Sequence, residues 1–223
     1  MQRSFARRGV ASVIILALAA CGGCRGRQHA HVLKQNDANM VGSHVAGAET
    51  YKPLIEESVA KLLGREAESA GIQPAGLNGQ VGCKRICFVG VENRSVEEIG
   101  DFKEQIYEII DSHISESGIF QSVSKRFVDA ALMETRLRPD QLFLPNNRRM
   151  FAAALEEVGQ PFDYLLFAKI TSGTTGSNGD YQRDYLLTLE LVNIQTGDND
   201  KESATLRKGY HKSALGKFKH YGL

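Results

Sequence analysis

Residues 164–170 read Tyr-Leu-Leu-Phe-Ala-Lys-Ile, apolar at every position but one, and this run constrains the fold more than any other segment. It is too short for a buried helix, which needs at least about 10–12 residues, and too continuous for a strand with one wet face. A strand covered on both faces fits it, and such a strand needs helices above and below its sheet. Further strands follow from the pattern. Residues 85–92 (RICFVGVE) read as a buried strand ended by Asn93-Arg94, and 119–123 as a short one. Tyr185, Leu187, Leu189 and Leu191 alternate with Thr188 and Glu190, as on a half-buried strand. Between these two C-terminal strands, residues 172–179 (SGTTGSNG) read as a hairpin loop.

Helical spacing fills the intervals. Leu54, Ile55, Val59, Leu62 and Leu63 share one face of a helix over about 51–71. Ser95 and Glu98 have the spacing of a capping box, and the apolar stripe Ile99, Phe102, Ile106, Ile109, Ile110, Ile114 follows, stopped at Gly118. Ser124 is placed to cap a helix through Arg136, and Pro139 lies past its end. After a loop holding Pro139 and Pro145, Asn146 or Asn147 is expected to cap a helix that turns Met150, Phe151, Ala154, Leu155 and Val158 inward, closed by Gly159 and Pro161. Thr196-Gly197 turns the chain into residues 201–208, whose lysines suit an edge strand that must not recruit other chains. Residues 210–223 are expected to form a short helix or a frayed end. The order α-β-α-β-α-α-β-β-β implies an α/β (α+β) fold with a mixed sheet of three to five strands flanked by helices.

The N-terminus is of another kind. Arg3, Arg7 and Arg8 precede an apolar run over residues 10–20. The run falls short of the roughly 20 residues that span a bilayer, but it suits the core of a secretory signal. It ends in Leu18-Ala19-Ala20-Cys21, which resembles the bacterial lipobox: small residues fit the signal peptidase, and the Cys21 thiol receives the lipid. Gly22, not Asp, follows the cysteine, resembling the outer-membrane pattern. Residues 1–20 are therefore expected to be a signal peptide, 21–49 a lipidated tether without apolar periodicity, and 50–223 a globular domain. Removing residues 1–20 leaves 24 basic against 26 acidic side chains, which gives no electrostatic case for nucleic acid.

Chemistry-bearing motifs are sparse. Cys21 and Cys24 have C-x-x-C spacing, but Cys21 is the lipidated residue and no strand–helix frame surrounds the pair. Cys83 and Cys87, four apart on an extended segment, would stand about 13 Å apart, beyond disulfide reach. His29 and His31 lie in the tether, where two histidines rarely hold a metal. Gly173, Gly176 and Gly179 lack the lysine and helix of a phosphate loop. His113 sits beside an apolar stripe and reads as a half-buried helix histidine. Arg148-Arg149 opposes the helix dipole at a helix start, which suits solvation or a contact to a partner. No cofactor, metal site or reaction is expected.

Several segments together resemble one family. They are Val89-Gly90-Val91-Glu92-Asn93-Arg94-Ser95, Ser117-Gly118-Ile119-Phe120, Phe127-Val128-Asp129-Ala130, Phe162-Asp163-Tyr164-Leu165-Leu166 and, over 189–197, LELVNIQTG. With the lipobox and tether they resemble the LpoB-like lipoproteins, activators of class A penicillin-binding proteins. The resemblance implies a domain like the N-terminal domain of TolB, no catalysis of its own, and docking from the outer membrane on a peptidoglycan synthase. After Gly197 the family continues into an apolar strand, whereas this chain has Asp198-Asn199-Asp200-Lys201, so a weak last strand is expected. A secretion-pore subunit of the CsgG kind and an unrecognised periplasmic enzyme are the alternatives.

Overall fold

The computed structural model describes residues 48–69, 83–177 and 180–210. In chain order they form α1 (Ala48–Ser69), β1 (Lys84–Arg94), α2 (Phe102–Glu116), β2 (Phe120–Ser122), α3 (Lys125–Thr135), a 3-10 helix (Pro139–Phe143), α4 (Pro145–Glu157), β3 (Tyr164–Ser177), β4 (Asp180–Asn193) and β5 (Asn199–Tyr210). The strands make one mixed sheet in the order β2-β1-β3-β4-β5. β1 pairs in parallel with β2 and β3, and β3-β4-β5 is an antiparallel meander.

Both faces of the central strands are covered, as the 164–170 run requires. On one face Ile86, Phe88, Leu166, Tyr185 and Leu189 pack with α1 and α2 through Leu54, Ile55, Leu62, Ile106 and Ile110. On the other, Cys87, Val89, Leu165, Phe167 and Val192 pack with α3, the 3-10 helix and α4 through Val128, Leu142, Phe151 and Leu155. The second cluster takes only Val192 from β4 and nothing from β5, so among the described residues no apolar cluster covers the outer part of the sheet on that side. Val89 is an extra residue in the β1–β3 register, and Gly90 beside it has φ +148°. This bulge lets Val89 and Val91 serve opposite clusters, and a left-handed φ there favours glycine.

Several elements differ from the sequence expectation. The Ser95/Glu98 capping box does not form. β1 continues to Arg94, residues 95–97 bend, and α2 starts only at Phe102, with Ile99 buried ahead of it. α4 starts at Pro145, a residue suited to the first helical position because it has no N–H to satisfy there, so neither Asn146 nor Asn147 caps it. Met150 and Val158 are half exposed, and the inward face is Phe151, Ala154 and Leu155. The loop before it contains the 3-10 helix. Most of the polar segment expected as a hairpin loop is strand: β3 runs to Ser177, paired residue by residue with β4 from Asp180. β5 is a full partner of β4 from Asn199 to Tyr210. Arg65 of α1 holds it in place, reaching Asp200 at 2.9 Å and also Glu202. The stretch 181–194, long enough for one membrane-spanning strand, is used in the core, with Tyr185, Leu187, Leu189 and Leu191 all buried. Among the described residues no helix is long and apolar enough to cross a membrane. The tail after Tyr210 lies outside the described residues.

Candidate functional site

The segments that looked most distinctive in sequence turn out to be joints. Asn93 closes an Asx-type turn, its Oδ1 accepting from the Ser95 N–H (3.0 Å) and hydroxyl (2.7 Å) while its Nδ2 donates to the Glu97 carbonyl at 2.6 Å. That turn aims Glu97 across the sheet, where its carboxylate accepts from Arg183 and, at 2.8 Å, from the Tyr185 hydroxyl. Asn193 repeats the device before β5, accepting from Gln195 and Thr196 N–H groups at 2.9 and 3.1 Å, with Gly197 at φ +82°. Asp163 joins the starts of two parallel strands, accepting from the Arg85 N–H at 2.8 Å and pairing with Lys84 at 2.9 Å. Ser117 accepts from the N–H groups of Ile119 and Phe120. Each of these polar groups is engaged within the domain, by backbone or by a neighbouring side chain.

A surface feature arises where the chain leaves β1 for α2 on one face and β2 for α3 on the other. Open α/β sheets bind ligands at such reversals, outside the carboxyl ends of the strands. Here there is an open cleft of about 700 Å³ whose lining includes Tyr107, Lys125, Leu132, Phe143, Phe167 and Lys169. A smaller one continues it past Glu108, Asp111 and Ser122. Lys125 lies 3.2 Å from Glu104 and 3.4 Å from Asp129, and 5.4 Å from the centre of the Tyr107 ring. Its hydrogen bond to Glu104, then the Asp129 charge, raises its pKa against the opposing effect of burial. Tyr107 stacks on Phe88 with centroids 4.4 Å apart and donates its hydroxyl to the Phe88 carbonyl at 3.0 Å. Burial, then the Asp111 carboxylate, pushes its phenol far above the usual range. The cleft thus offers shape, an aromatic wall and compensated charge. Tyr107→Phe strands the Phe88 carbonyl and is expected to cost roughly 1–2 kcal/mol in urea unfolding; an unchanged midpoint would show that hydrogen bond to be idle.

Residues singled out in the sequence fall as follows. Leu18, Ala19, Ala20, Cys21, Cys24, His29 and His31 lie outside the described residues. Cys83 is exposed and Cys87 buried, both as free thiols, and burial pushes the Cys87 thiol up. His113 is half-buried in the last turn of α2, its Nδ1 3.9 Å from Glu116. Gly173 and Gly176 lie within β3. Arg148 closes the first turn of α4, which carries no acid, and Arg149 opens the second. The sequence reading missed the exposure of Phe143, Leu144 and Met150 beside them.

A family model described as peptidoglycan-synthase activator LpoB matches residues 55–199. Among solved structures, the chain is similar to the LpoB C-terminal domain from Salmonella enterica, at 16% identity, covering 70% of this chain and 97% of that one, with a TM-score of 0.47. The LpoB C-terminal domain from Escherichia coli gives 18% identity, 70% and 98% coverage and a TM-score of 0.43. Lipoprotein GNA1162 from Neisseria meningitidis gives 18%, 62% and 93%, and 0.42. No curated protein sequence matches significantly. The family match spans more than half of the chain and all of the sheet up to the start of β5: the chain belongs to the LpoB family of peptidoglycan-synthase activators.

Proposed function

We propose that this protein is an outer-membrane lipoprotein, anchored through lipid on Cys21, that docks on a class A penicillin-binding protein and stimulates peptidoglycan synthesis without catalysing a reaction itself. The family match over residues 55–199 carries the reading. The lipobox Leu18-Ala19-Ala20-Cys21 and the tether after it support the anchored form. A tether of that length extends to at most about 95 Å. It would let one molecule be anchored and docked at once, raising the effective concentration of the domain at the synthase.

The test is reconstitution. The protein purified from membranes is added to the class A synthase of the same bacterium, and glycan polymerisation is followed. A several-fold rise in the synthase rate, with no polymer from the protein alone, is expected. An unchanged rate at saturating protein, or polymer made without the synthase, would refute the reading.

A further inference from the structure

We propose that the corner joining α3 to α4 is the docking face, and that it fits a protein surface that is acidic around an apolar centre. This rests on the docking reading above and adds the face and its chemistry.

Three local rules are broken within residues 133–150. First, Met133, Phe143, Leu144 and Met150 are 78, 45, 60 and 53% exposed, four of the seven large apolar side chains exposed among the described residues. Phe143 is also held flat on Phe167, centroids 4.3 Å apart, so its open face is a fixed platform. Second, Arg136 closes α3 at φ 55°, the one non-glycine with positive φ among the described residues. The Leu137 N–H bonds back to the Leu132 carbonyl at 3.1 Å, the turn in which glycine is the usual occupant. Third, Arg148 and Arg149 crowd the positive end of α4. Arg136, Arg148 and Arg149 have no carboxylate within ion-pair distance among the described residues, while Arg138 pairs with Asp140 at 3.2 Å.

Arginine, methionine and aromatic side chains are what protein interfaces concentrate. Departures from local preference gather where function, not folding, chooses the residue. The cationic rim calls for acidic partners, and the fixed ring and methionines call for an apolar centre. The corner lies on the sheet face opposite α1, the first described helix.

The experiment compares three variants of the protein purified from membranes, each checked by thermal melting, for affinity to the class A synthase at low and moderate salt. Arg148→Glu/Arg149→Glu is expected to bind about tenfold more weakly or worse, with a flatter salt dependence. Arg136→Gly is expected to melt higher yet bind several-fold more weakly, a split that a structural role for Arg136 cannot produce. Lys52→Glu on α1 should bind like the wild type. If the wild type binds and both corner variants match it, the corner is not the docking face although the docking reading survives. If the wild type does not bind, both fail together. Loss of binding to phosphatidylethanolamine–phosphatidylglycerol vesicles in the double variant, with synthase affinity kept, would make the corner a membrane contact and overturn the proposal.

Discussion

Arg183→Ala is expected to lower the unfolding free energy by roughly 3–5 kcal/mol. Glu97 and Arg183 are 8 and 16% exposed in their side chains, and the Glu97 carboxylate also accepts the Tyr185 hydroxyl. Removing the guanidinium takes the countercharge from a carboxylate that is 8% exposed and holds the hydroxyl of the core residue Tyr185, with little water to replace it. It also frees the hydroxyl of Thr174, which accepts from Arg183 Nε at 3.0 Å. The damage should spread along the chain: residues 95–99 carry the crossing from β1 to α2, and Val96 bonds the Ser172 hydroxyl at 3.1 Å on β3. A fall in Tm of roughly 6–20 °C is expected. The double replacement Glu97→Leu/Arg183→Met should recover most of it, because burying neither charge is less costly than burying one. A loss below about 1 kcal/mol for Arg183→Ala would mean that water reaches Glu97 and that the pair is ornamental.

The same pair explains where sequence reasoning succeeded and where it stopped. Residues 164–170, the stripe from Phe102 to Ile114 and the alternation from Tyr185 to Leu191 announce themselves because a periodic apolar pattern is a local record of burial. They were enough to give the helix and strand order and the covered sheet. Ser95 and Glu98 have equally good local spacing, but the Ser95 hydroxyl is taken by Asn93, two residues back, and the acid that matters is Glu97, whose partners lie 86 and 88 residues away. No window of sequence contains both ends of that contact. β5 was legible as an edge strand over 201–208 but was expected to be weak: Asp200 and Glu202 look like solvated charge until Arg65 of α1 is placed over them. The hairpin of β3 and β4 reads as loop because its outer residues are small and polar, yet their backbone groups find partners across the strands. The candidate docking corner was half legible. Arg148-Arg149 stood out as the wrong charge for a helix start, but Met150 was assigned inward by periodicity, whereas the buried face of α4 is Phe151, Ala154 and Leu155. The Asn93 and Asn193 motifs were legible as distinctive and opaque as to purpose, since a turn and a binding site both call for asparagine and glycine.

Cys21→Ser is expected to remove the protein from the membrane fraction, an all-or-none change where the corner variants are graded. Only a thiol can take the diacylglyceryl group, and serine at that position denies the signal peptidase its lipidated substrate. The energetics then leave no middle ground. Each buried CH₂ contributes about 0.8 kcal/mol, so a single chain gives marginal attachment and two or more give stable attachment. The serine chain, uncleaved, keeps residues 1–20, but its apolar run over 10–20 falls short of the roughly 20 residues that span a bilayer, so no stable anchor remains to resist a wash. The measurements are intact mass of the purified protein, palmitate labelling and resistance to a carbonate wash. The wild type should begin at Cys21 with acyl mass on it, label, and resist the wash; the serine form should do none of these. Docking should be untouched in solution, so the serine form should still stimulate the synthase once its concentration replaces what tethering supplies. In cells, where it cannot reach that concentration, it should behave as a loss of function. Wild-type protein that retains residues 1–20, or that carries no lipid at position 21, would remove the anchor from the mechanism, and the tether would then have nothing to connect.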